Sequence, residues 1–89
     1  MLEDFLKLLR QVAAGMVDDA MITRGSQWIE HLKKEFPAAH LIIMSLLYRS
    51  PEHVLDALAN MNSEIKPFRR DPNAIAYIAA LQKRLKGKK

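Results

Sequence analysis

Apolar residues recur at spacings of three and four along the first 23 positions: Leu2, Phe5, Leu6, Leu9, Val12, Ala13, Met16 and Ala20, with Glu3, Lys7, Arg10 and Asp18 opposite. That period predicts one amphipathic helix over about 2–23. Arg24 in its last turn and Gly25 as a left-handed cap would end it. Within this helix Gly15 costs about 1 kcal/mol relative to alanine, which points to a close backbone approach. Asp19 falls on the apolar stripe, where a carboxylate needs a partner or an edge position. Ser26 is then a suitable N-cap for a shorter second helix with Trp28, Ile29, Leu32 and Phe36 inward and Glu30, Lys33 and Lys34 outward.

From Pro37 to Tyr48 the pattern changes, because PAAHLIIMSLLY is apolar on every side of a helix. A helix of that kind is expected to be enclosed by other elements, so 37–49 is predicted to be the central core helix. Ser50 and Pro51 repeat the start signal, a serine cap followed by proline at the first helical position, with Glu52 favourable to the helix dipole. Val54, Leu55, Leu58 and Met61 mark the buried side of a fourth helix. Residues 62–70 lack periodicity and contain Pro67, which predicts the one long connection, pinned to the core by Phe68. Asp71 and Pro72 start a fifth helix with Ala74, Ile78, Leu81 and Leu85 in register. The pattern therefore predicts an all-α fold: a compact single-domain bundle of about five short helices over 1–86, followed by a basic frayed tail, 87–89.

Composition agrees with one folded domain: 89 residues, 49% hydrophobic and 27% charged. The absence of cysteine removes disulfides, thiolate nucleophiles and cysteine metal sites. The longest apolar run is about a dozen residues against the roughly 20 that a bilayer crossing needs, so no membrane partner is expected. The opening MLEDF carries acids where an export signal would carry lysine or arginine, which makes a cytoplasmic location the expectation.

Charge adds a direction. The net +4 sits in the second part of the chain: residues 1–36 hold five basic and six acidic side chains, residues 37–89 nine and four. If the 62–70 connection folds beside the end of the fifth helix, Lys66, Arg69 and Arg70 would join Lys83, Arg84 and Lys86 in one patch for nucleic acid or an acidic partner, with Phe68 or Tyr77 as a stacking face. A helix-turn-helix built from the third and fourth helices fits poorly. Its outward residues would be Glu52, His53, Asp56 and Asn60, and two of these repel phosphate.

Candidate chemistry is sparse. His31 with Glu35, and His53 with Asp56, share helix faces, but a metal centre needs three or four protein ligands, so no metal and no cofactor are expected. Ser45 has no histidine and acid at a useful spacing, and its hydroxyl is expected to bond to a carbonyl one turn back. With no glycine-rich phosphate loop either, neither an enzyme nor a small-molecule substrate is indicated. What remains is surplus apolar surface. Leu8, Met21 and Ile22, at the edge of the first stripe, together with Trp28, are the candidate protein interface. The sequence thus suggests a small non-catalytic interaction protein, a regulator, inhibitor or accessory subunit, that binds a larger protein or forms a homodimer. The alternative is nucleic-acid binding through the basic region.

Overall fold

A computed structural model describes residues 2–87. Among them are five α-helices and no strand: α1 (Glu3–Ala13), α2 (Asp19–Glu35), α3 (Pro37–Ser45), α4 (Pro51–Met61) and α5 (Pro72–Gly87). Two 3₁₀ segments, Leu46–Tyr48 and Ser63–Phe68, flank α4. The radius of gyration, 11.7 Å, is that of a closely packed chain of this length.

The first long helix of the sequence pattern is two helices. Gly15 takes φ +97°, its N–H donates to the Val12 carbonyl (2.9 Å) and the Met16 N–H to the Gln11 carbonyl (3.1 Å). These are the paired bonds of a Schellman stop, with the glycine at the left-handed position just beyond the helix. Asp18 then restarts the chain, its carboxylate accepting from the Met21 N–H at 3.0 Å. Asp19 is thereby exposed in the first turn of α2, where a negative charge suits the dipole.

Gly15 marks a stop and has open space around it; the close approach is at Gly25, which continues α2 where the sequence suggested an end. Gly25 and Ser26 are both buried, and α5 crosses there. The Tyr77 hydroxyl reaches over the glycine and donates to the Met21 carbonyl at 2.6 Å. Burial pushes the Tyr77 phenol up to about 12, so it is a neutral donor at ordinary pH.

The central element is α5, not the 37–49 segment. It packs on α1, α2, α4 and the Leu46–Tyr48 segment, burying Ala74, Tyr77, Ile78, Leu81, Gln82 and Leu85. Against it α1 places Phe5, Leu6, Leu9 and Val12. Phe5 stacks between Trp28 (centroids 4.7 Å apart) and Tyr77 (6.4 Å). The 62–70 connection is ordered as a 3₁₀ turn, started by the Asn62 side chain accepting from the Glu64 N–H. Ile65, fully buried, is its main anchor, while Phe68 is half-buried against the core. The Ser50 and Asp71 starts of α4 and α5 are as the sequence predicts, with side chains accepting from His53 and Asn73 N–H groups. Gly87 is the last residue of α5; the rest of the expected frayed tail, Lys88 and Lys89, lies outside the described residues.

Ser26 supplies a stability test. Its Oγ is buried with no hydrogen-bond partner among the described residues, an arrangement that costs about 1–3 kcal/mol of desolvation. Alanine removes that cost and is the better helix former. Ser26→Ala is expected to raise the thermal midpoint by several degrees, measured by circular dichroism; a lower midpoint would mean that the hydroxyl has a partner.

Candidate interaction surface

The segment that departs most from its sequence expectation is the most apolar one. Phe36 alone separates α2 from α3; its non-helical backbone (φ −138°, ψ 69°) turns the chain, and Pro37 starts the new helix at once. Only Ala39 and Ile43 of the nine α3 residues are buried. Ala38, Leu41, Ile42 and Ser45 form the opposite stripe and all are exposed, Leu41 at 70% and Ile42 at 50%. Phe36 (48%) and Tyr48 (80%) extend it at the two ends. The physical reason is capacity. α5 already offers its faces to α1, α2 and α4, and none of the described elements lies over the outside of α3. An apolar helix does not bury itself without a cover.

The stripe is held firmly from below. Leu46 and Leu47 are buried, and the carbonyls at the end of this unit are satisfied by α5: Gln82 Nε2 donates to the Leu46 oxygen at 3.2 Å and to the Arg49 oxygen at 2.8 Å. The Leu46 oxygen also accepts the Arg49 N–H at 3.1 Å, so it is the Arg49 oxygen that Gln82 supplies with a partner at this helix end. The Ser45 hydroxyl donates to the Ile42 carbonyl (2.6 Å), as the sequence suggested, although in an exposed setting. One turn beyond Gln82, the Lys86 ammonium lies 5.2 Å from the centre of the Tyr48 ring. Behind Ile43, Leu46 and Leu47 an apolar cavity of about 30 Å³ reaches toward Trp28 and Leu81, too small for an organic ligand.

Of the interface residues inferred from the sequence, Met21 and Trp28 are core residues, 3% and 7% exposed, while Leu8 and Ile22 are half-buried and packed on that core. Leu8 and the edge of Trp28 line an open depression between α1 and α2, rimmed by Asp4, Arg24, Gln27 and His31. Its polar rim gives it much less apolar surface than the α3 stripe. Leu8 and Ile22 therefore keep part of their surface for a partner, whereas Met21 and Trp28 keep little.

The basic residues do not form one patch. Lys66, Arg69 and Arg70 precede α5, whereas Lys83, Arg84 and Lys86 lie in its last turns, roughly 20 Å away along the helix. All but the partly exposed Arg84 are exposed. Arg69 is shared with Asp56 at 3.9 Å, and Arg84 donates to the Thr23 hydroxyl at 2.8 Å, on the α2 side of α5, away from Lys86. The stacking candidates are also committed elsewhere, Tyr77 being fully buried and Phe68 half-buried. Among the described residues no group of three or more histidines and acids is placed to hold a metal ion. No helix among them is long and apolar enough to cross a membrane.

The chain matches no family model, and no curated protein or solved structure matches it.

Proposed function

We propose that this is a non-catalytic interaction protein, an intracellular regulator, inhibitor or accessory subunit, that binds a larger protein through the outer face of α3 and Tyr48. The observation that carries this reading is the exposure of Leu41 and Ile42 on the outer face of α3, with exposed Phe36 and Tyr48 at its two ends. Contiguous exposed aliphatic and aromatic side chains on a small domain are a cost in water that contact with a partner removes. The α1–α2 residues first suggested by spacing serve the fold, so the apolar contact is assigned to α3 instead. Nucleic-acid binding is the less favoured reading, because the cations that would meet phosphates are divided between the two ends of α5.

Leu41→Asp tests the assignment. At 70% exposure Leu41 contributes little to the core, and the change is expected to alter folding stability by only about 0.5 kcal/mol. In an affinity capture from host lysate, the wild-type protein should retain a stoichiometric protein partner through nuclease treatment and a high-salt wash, and the variant should lose it. Binding lost to nuclease in the wild type would transfer the function to nucleic acid.

A further inference from the structure

The charge pattern around the apolar stripe narrows what can cover it, and we infer that the occupant is an acidic amphipathic helix of a partner protein. This rests on the interaction reading above and adds the partner's chemistry. From Pro37 to Ser50 there is no acidic residue. At one end, beside Phe36, the last turn of α2 carries Lys33 and Lys34 against a single acid, Glu35. At the other, Arg49 is tied by its carbonyl to Gln82 of α5, Lys86 stands over Tyr48, and exposed Lys83 is one turn before Lys86. Glu52, in the first turn of α4, is the acid nearest in sequence to that end. The stripe, apolar but for Ser45, thus carries no acid; its Tyr48 end is bordered by Arg49, Lys83 and Lys86, and its Phe36 end by mixed charges.

A second copy of the chain fits badly. If two α3 stripes met about a two-fold axis in parallel, Arg49, Lys83 and Lys86 would face their own equivalents. In the antiparallel arrangement they would face the mixed charges of Lys33, Lys34 and Glu35. Parallel pairing therefore sets cations against cations across an apolar contact, where like charges discriminate against it, and antiparallel pairing has no clear charge complement. The stripe is also short. Ala38 to Tyr48 spans roughly 15 Å, the length of three helical turns, and one helix face of that size falls well below the ~800 Å² per partner of a stable globular interface. It matches a single helix laid along it, with leucine-like residues over Leu41 and Ile42 and carboxylates toward Arg49 and Lys86.

The test is selection of a random 16-residue peptide display library on the whole protein, followed by affinity measurement of the enriched peptides. The expected winners are helical, apolar on one side and rich in Asp and Glu beside it. Their affinity should fall at least about tenfold with Leu41→Asp and by a similar factor with Lys86→Glu. It should also weaken as salt is raised, which Leu41→Asp alone would not produce. Both variants should keep the wild-type unfolding curve. Winners that depend on Leu41 but carry no acidic side and ignore Lys86→Glu would overturn the acidic partner while leaving the interaction surface standing. If no enriched peptide depends on Leu41, both are wrong. Sedimentation equilibrium and flotation with phosphatidylglycerol vesicles cover the other occupants: a dimer, or vesicle binding, that Leu41→Asp abolishes would replace the acidic helix with a second copy or with a membrane surface.

Discussion

Trp28→Ala is expected to remove about 3–5 kcal/mol of folding free energy, the range for truncating a buried aromatic to alanine. The indole is 7% exposed and stacked on Phe5, which itself packs toward Tyr77, so the change removes the α2 end of the aromatic row that joins α1, α2 and α5. A domain of this size holds roughly 5–10 kcal/mol in total. The variant should therefore unfold in urea with its midpoint lowered by about 2 M or more, and be partly unfolded near 37 °C. Trp28→Phe, which keeps a ring against Phe5, should recover much of the loss. A Trp28→Ala midpoint close to wild type would show the indole to be a surface group and would restore it as a binding residue. The distinction matters for any functional assay. Loss of a partner on Trp28→Ala would be loss of fold, whereas loss on Leu41→Asp would be loss of contact.

How far the sequence could be read differs by element, for reasons that can be named. α4 and α5 were legible because their start signals, Ser50–Pro51 and Asp71–Pro72, are local: each side chain caps N–H groups two or three residues ahead, and no distant packing is needed. The α1–α2 break was present in the chain as Gly15 followed by Asp18. The apolar period ran across it undisturbed, and a periodic stripe does not reveal that its two halves point in different directions. Gly25 is ambiguous in the sequence for the opposite reason. A glycine within a helix can mean an end or a contact, and only the position of Tyr77, 52 residues away, decides between them.

The proposed interaction surface is half legible in the sequence. PAAHLIIMSLLY is a helix pattern too apolar to stand alone, but apolarity states a need for cover without saying where the cover comes from. Whether α3 is enclosed depends on how many other elements remain after α5 is surrounded, a property of the whole fold. The residues around Arg70 and Lys86 fail in a similar way. They are neighbours in composition, yet an intervening α5 of 16 residues holds them apart.

Gly25→Ala should destabilise the protein by about 1–3 kcal/mol, against the usual direction for this exchange in a helix. In open space alanine would add about 1 kcal/mol of helix stability. Here the new methyl would overlap the Tyr77 hydroxyl and come within 2.8 Å of Leu81 Cδ2. The Leu81 contact can yield by a rotamer change, but the hydroxyl is held by its bond to the Met21 carbonyl. The two residues should therefore be coupled. Tyr77→Phe alone is expected to cost about 1 kcal/mol for the lost buried hydrogen bond. Made together with Gly25→Ala, it should cost nothing or restore stability, because it removes the atom the methyl strikes. Urea unfolding of the four proteins gives the coupling directly, with an expected magnitude of about 1–2 kcal/mol in favour of the double variant. Strict additivity would mean that α2 and α5 do not approach at Gly25. The sign of the coupling thus tests the crossing that makes α5 the centre of the fold and leaves the outer face of α3 without cover.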